Sequence, residues 1–426
     1  MSLYYFKIIR LILLLSCAVP LLVAAQTQHT ETLPDDVDIL INKHPGSGNY
    51  LILWIASGYG FRDGHVEMAR RLAKNGIEVW QIDLLESQFL PRSVDAIKSL
   101  NGKHVADLIQ IARQQSGKKI VLMAGSYGSV PVLRGMRIWQ STQQNAQTGH
   151  TAVVGSILFS PSLYQNIPPL GMEPQYLPIT YSSNSPIYIF QGATHGTRWQ
   201  LSKLVDALHS GGSQTYTHLL PDIGSVFFEP ENPIVKPQFD RLPRRIVNAI
   251  KLLQSAPMPQ QAADWTEIQR QKHTGLDNRL KPYRGTPVPP PIDLPDISGK
   301  RYTRQNYIGQ ITVINFWASW CAPCVEEIPS LNRLRSKMSA KPFELISINY
   351  AEKTQTIQEF MKTVKVDFPV LLDVDGSEAG VWNVIAFPST FVIGPDGRIH
   401  YGVNAGIEWD QDEVLQKLNL LLSPPQ

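Results

Sequence analysis

The chain has 426 residues, 43% hydrophobic and 18% charged, which fits a globular protein of about two domains, each large enough to bury a core. Its formal charge is +3, and without Lys7 and Arg10 in the N-terminal segment 37 basic residues face 36 acidic ones. That balance excludes the strongly basic surface that nucleic acid or an anionic membrane would require.

Residues 1–25 read as a secretory signal. Lys7 and Arg10 form a positive n-region, Leu11 to Val23 an apolar core, and Val23-Ala24-Ala25 a small-residue cleavage site before Gln26. Export is therefore expected, to the periplasm or beyond. Leu14-Leu15-Ser16-Cys17 also has the form of a lipoprotein box, which would put a lipid on Cys17, and an uncleaved membrane anchor is the third alternative. Against lipidation, the apolar run continues past Cys17. No later stretch is long and apolar enough to span a bilayer. If Cys17 leaves with the signal, Cys321 and Cys324 are the only thiols. One close pair in an exported chain is not a disulfide-stapled scaffold.

A first domain is expected over about 35–255. Tyr50 to Ala56 is a continuous apolar run suited to a buried parallel strand, and Ser57-Gly58-Tyr59-Gly60 is a glycine-rich turn after it. Val66 to Lys74 reads as a helix stopped by Asn75-Gly76, and Ile77 to Asp83 as the next strand. Val105 to Gln115 and Lys119 to Ala124 repeat the helix–strand alternation, which predicts βαβ units and a mostly parallel sheet.

Ala124-Gly125-Ser126-Tyr127-Gly128 then forms a small-x-Ser-x-Gly turn between a strand and a helix starting near Val130. This resembles the nucleophile elbow of the α/β-hydrolase superfamily, which holds a serine on a strained turn at the sheet's carboxyl edge. The layout from Ser57 to Val132 is similar to the exported VirJ-type branch. The resemblance implies Ser126 as a hydrolase nucleophile, with the Tyr127 N–H and the Gly58-Tyr59-Gly60 turn as oxyanion donors. Its triad does not close in this sequence. The strand ending at Phe190 runs into Gln191-Gly192-Ala193-Thr194-His195 where an aspartate belongs, and Asp222-Ile223-Gly224-Ser225 stands where Gly-His is expected. His195 or His218, with Asp222 nearby, are the remaining candidates for a base. The alternatives are an active serine hydrolase and a degenerate fold used for binding or support.

Between Ala256 and Pro290 proline becomes dense, ending in Thr286-Pro287-Val288-Pro289-Pro290-Pro291. This segment reads as a semi-rigid connector, with a short helix over 264–272. A second domain follows over 291–426. Ile311 to Phe316 is a strand, and Val325 to Met338 continues a helix with Ile328, Leu331 and Leu334 at helical spacing. Phe343 to Asn349, Thr354 to Lys365, Phe368 to Asp373, a hairpin around Pro395-Asp396-Gly397 and a helix from Asp410 to Leu422 complete the order β–α–β–α–β–β–α, a thioredoxin fold.

Trp320-Cys321-Ala322-Pro323-Cys324 lies at the first strand-to-helix turn of this unit. A thiol at a helix N-terminus faces free N–H groups and the positive end of the macrodipole, which favour thiolate. Such cysteines titrate at roughly 3.5–7.5, against about 8.5 for an unperturbed one. Cys321 is expected to attack a partner disulfide and Cys324 to resolve the mixed disulfide. Zinc lacks a second ligand pair, and the paired cysteines argue against a peroxiredoxin.

Asn315-Phe316-Trp317-Ala318-Ser319-Trp320-Cys321-Ala322-Pro323-Cys324, followed by Glu327-Ile328-Pro329, resembles the TlpA/ResA group of exported thiol–disulfide oxidoreductases from about Pro287 onward. The resemblance implies a catalytic set of Cys321, Cys324, Glu327 and Pro388. Glu327 would tune thiol protonation and Pro388 would be the cis-proline facing the disulfide. It implies no cofactor beyond the Cys321–Cys324 pair, protein thiols and disulfides as substrates, and a membrane electron donor of DsbD or CcdA type. Ala322-Pro323 resembles the reducing members. Asn315 stands where ordinary thioredoxins carry a buried aspartate, which leaves Glu327 as the better proton-transfer group.

Overall fold

A computed structural model describes residues 27–142, 152–266 and 278–422. The expected signal segment, Cys17 and most of the expected helix at 264–272 lie outside the described residues.

The first sheet has eight strands: β1 (Thr27–Thr32), β2 (Asp38–His44), β3 (Tyr50–Ile55), β4 (Glu78–Ile82), β5 (Lys119–Gly125), β6 (Val153–Phe159), β7 (Ile187–Gly192) and β8 (Thr215–Leu220). They lie in the order β1-β2-β4-β3-β5-β6-β7-β8. β3 to β8 pair in parallel, while β1 and β2 add an antiparallel edge. Successive side chains of a strand face opposite ways, so the unbroken apolar runs fill two cores. Leu51, Leu53, Leu122 and Ala124 pack with the helices Lys103–Ser116 and Ser129–Thr142. Ile52, Trp54, Val121 and Met123 pack with Asp63–Lys74 and Lys236–Ser255.

The second unit begins with β9 (Lys281–Pro282) and a small hairpin of β10 (Asp293–Pro295) and β11 (Arg301–Thr303). Then come β12 (Ile311–Trp317), β13 (Phe343–Tyr350), β14 (Val370–Asp373), β15 (Ser389–Ile393) and β16 (Ile399–Val403). The sheet order is β14-β13-β12-β15-β16-β9. With helices Ala322–Met338, Thr354–Met361 and Asp412–Leu420, this is a thioredoxin fold. β12 sits at its centre, with Val313 and Trp317 on one face and Ile314 and Phe316 on the other.

The proline-rich segment does more than connect. Tyr401 pairs with Pro282, and the Tyr283 N–H donates to the His400 carbonyl at 2.8 Å, so β9 becomes an edge of the second sheet.

Candidate redox site

β12 ends at Trp317, and four residues later Cys321 occupies the N-cap of the helix Ala322–Met338, with Pro323 in its first turn. Proline suits that place because it has no N–H to leave unpaired. The Cys321 carbonyl accepts from the N–H groups of Cys324 at 3.0 Å and Val325 at 3.1 Å. The two sulfurs are bonded, with the Cα atoms 5.3 Å apart, and both residues are buried. On reduction, Cys321 therefore faces the positive end of a 17-residue helix.

The loop between strand and cysteine is held by Glu352. Its carboxylate accepts from the Ser319 N–H at 2.7 Å and Asn349 Nδ2 at 2.8 Å, and also from the Ser319 hydroxyl. The Trp317 ring is buried and donates from Nε1 to Ser347 Oγ at 3.2 Å, while Trp320 stays exposed, edge to face with Phe387 at 5.9 Å between ring centroids.

Glu327 lies one turn beyond Cys324 and is only 3% exposed. Oε1 accepts from Asn315 Nδ2 at 2.8 Å, and Oε2 from Trp409 Nε1 at 3.0 Å and the Ile407 N–H at 3.4 Å. Burial outweighs these hydrogen bonds and pushes the carboxyl up to about 7. An acid half-ionised near neutrality gives and takes protons there. The Phe387–Pro388 peptide is cis. Pro323, Glu327, Phe387, Pro388, Asn404 and Gly406 line one groove of about 390 Å³, so two of the four expected redox-site positions, Glu327 and Pro388, line it, and Pro323, between the two cysteines, lines it with them. Trp409, 82 residues from Glu327, had no local signal in the sequence, and Glu352 sits outside any motif.

The first domain has its own cavity of about 290 Å³, at the carboxyl edge of β3 and β5, lined by Trp54, Ser57, Ser126, Phe159, His195 and Phe228 among others. Ser126 has φ +49, a left-handed conformation costly for a residue with a Cβ. A Cβ on Gly128 would lie 2.8 Å from the Ala56 carbonyl oxygen, so glycine is what lets the following helix approach. The Ser126 hydroxyl contacts Ser162 Oγ at 3.4 Å. His195 reaches this cavity, but its Nδ1 already accepts from the Thr197 N–H at 3.1 Å. Burial drives the imidazole down to about 4, so it is neutral, with its one proton on Nε2. A base needs the reverse arrangement, Nδ1–H held by an acid and Nε2 open. His218 sits on β8 beside Phe190 and lines no part of this cavity, and neither does Asp222.

A buried cysteine pair capping the first helix of a thioredoxin fold, beside a cis-proline and a near-neutral carboxyl, defines a disulfide oxidoreductase domain. Residues 285–402 match the AhpC/TSA family. The chain is 33% identical over 110 residues to the thiol–disulfide oxidoreductase ResA of Bacillus subtilis, an overlap of 26% of this chain and 62% of that protein. It is 31% identical over 124 residues to ResA of Bacillus thuringiensis subsp. konkukian, covering 29% of this chain and 72% of the relative. Through this region the chain belongs to the ResA-type thiol–disulfide oxidoreductases. Among solved structures, StoA from Bacillus subtilis is 25% identical with a TM-score of 0.28, covering 31% of this chain and 98% of that one.

Proposed function

We propose that this chain is an exported disulfide reductase acting on protein substrates, with Cys321–Cys324 as its sole redox group. The observation that carries the reading is Cys321 at a helix N-cap beside a groove walled by Glu327 and cis-Pro388. In the reductive half, the Cys321 thiolate attacks one sulfur of a client disulfide, and the other client sulfur leaves as thiolate and is protonated. Cys324, losing its proton, attacks the Cys321 sulfur, expels the second client thiol and closes the internal disulfide. In this reading Glu327 takes the Cys324 proton, Asn315 having no proton-accepting role; the Glu327 carboxyl held up to about 7 supports that. Two electrons then return from a dithiol donor, for which a DsbD- or CcdA-type membrane protein is the proposed source. Export rests on residues 1–25, and no helix among the described residues is long and apolar enough to cross a membrane. Reduction of insulin by dithiothreitol tests the proposal: the chain accelerates it, and Cys321→Ser abolishes the acceleration. Equal rates for the two proteins would reject it.

A second reading concerns the first domain, which we take as α/β-hydrolase-like. The backbone strain at Ser126 inside a cavity supports it. With Nδ1 of His195 occupied, the cavity is better suited to binding or support than to hydrolysis. Labelling by a serine-directed fluorophosphonate that is lost in Ser126→Ala would reverse that preference.

A further inference from the structure

Two residues that line the redox groove, Phe387 and Asn404, are held by the first domain rather than by the thioredoxin fold alone. Asn404 Nδ2 donates to the Pro168 carbonyl at 2.6 Å, while its Oδ1 accepts from Ser389 Oγ, just after cis-Pro388, at 3.0 Å. The ring of Phe387 is packed from three sides. Trp320 meets it edge-on, Tyr350 lies tilted against it with centroids 4.7 Å apart, and Gly196 lies so close that a Cβ there would be 3.1 Å from the ring. Tyr350 ties the second contact to the third, because its hydroxyl donates to the His195 carbonyl at 3.0 Å. Gln200 Nε2 fixes the far end of the same turn on Asn383 Oδ1 at 2.6 Å. The turn Ala193–Gln200 and the segment around Pro168 therefore grip the cis-proline loop from behind.

We propose that the first domain sets the client specificity of the redox site, with Gly196 and the Tyr350–His195 bond as positioning elements for Phe387 and the Pro168 carbonyl as one for Asn404. The partner that fits is an extended polypeptide carrying a disulfide. Its flanking residues must lie along the Phe387–Pro388 wall, where backbone groups pair with an incoming strand. A small disulfide reaches Cys321 without touching that wall and is indifferent to its position. The inference rests on the thiol–disulfide exchange reading above.

The test uses the full chain with Gly196→Val, which pushes a side chain into the Phe387 ring, and Tyr350→Phe, which removes one hydroxyl and keeps the ring. Steady-state reduction of insulin is compared with reduction of a small aryl disulfide. Displacing Phe387 weakens a wall that binds client residues flanking the disulfide without touching the reacting sulfurs, so KM for insulin should rise about threefold or more in both variants, with kcat and small-disulfide turnover within about twofold of the parent. Thermal melts report whether each variant is folded, and Tyr350→Phe keeps the test decisive should Gly196→Val fail to fold. An unchanged insulin-to-small-disulfide ratio overturns the proposal. So does a parallel loss on both substrates, which would place the effect at the cysteines. Failure of the unaltered chain on both substrates would instead reject the redox reading itself.

Discussion

Cys321 and Ser126 occupy equivalent places in two different sheets. Each follows the carboxyl end of a central strand, β12 or β5, where the chain turns into a helix. Both turns concentrate free N–H groups and both open on a cavity or groove. Their surroundings differ. Cys321 has a partner sulfur three residues away and a buried carboxyl poised near 7. Ser126 has a second serine and a histidine whose Nδ1 is spent on the Thr197 N–H. A sulfur that ionises readily needs little more than a helix end, whereas a hydroxyl needs a correctly turned base. On the proposed roles, a helix end is enough to favour a thiolate, whereas an alcohol in the same position still lacks its base.

The sharpest way to break that contrast is at the sulfur pair. Cys324→Ala leaves Cys321 with no resolving thiol, so multiple-turnover insulin reduction should fall at least about 1000-fold, with a client-linked mixed disulfide accumulating on a non-reducing gel. Full turnover without that species would contradict the assignment of roles.

Glu327 gives the next largest effect. Its folded value of about 7 stands above the ordinary 4.5, so the folded chain holds an extra proton between those values. The stability this confers is fully present below about 4.5 and is lost as pH rises through about 7, at a slope of up to roughly 1.4 kcal/mol per pH unit. Melting curves taken from pH 4.5 to 8 should show that decline in the parent and a flatter profile in Glu327→Gln. The same variant should lose the inflection near 7 in the pH–rate profile.

Gly128 probes the serine side. Gly128→Ala forces a Cβ against the Ala56 carbonyl and should destabilise the first domain by about 1–3 kcal/mol, read as a lower first melting transition. The smallest effect expected is none. Ser126→Ala should leave insulin reduction unchanged, and the parent should take up no more fluorophosphonate than this variant. Selective labelling of the parent would erase the contrast between the two turns.

Much of this arrangement was legible from local patterns. The Ile311–Phe316 run, the paired cysteines and Pro323 place the redox turn within a few residues, because strand, N-cap and helix signals all act over short distances. The unbroken apolar strands of the first domain were equally plain. Other parts were hidden. β1 reads Thr-Gln-His-Thr-Glu-Thr, an edge strand with too little apolar character to stand out. The helix Lys236–Ser255 carries Phe239, Leu242, Ile246 and Ile250 at helical spacing, but Pro237 and Pro243 obscure it. Pro282 pairs at a sheet edge, where a missing N–H does little harm, although proline density suggested only a spacer. Trp409 reaches Glu327 and Glu352 reaches Ser319 from far along the chain, and such long-range contacts leave no local trace. The tautomer of His195 is set by the Thr197 N–H only two residues on, but that bond depends on the turn conformation, which the residue types do not spell out.

The most direct measurement is the alkylation rate of reduced Cys321 as a function of pH, in the Cys324→Ala chain. The account predicts a fast reaction at neutral pH, with a midpoint clearly below the value of about 8.5 for an ordinary thiol. A midpoint at or above that value, with a rate no greater than a model peptide's, would contradict it.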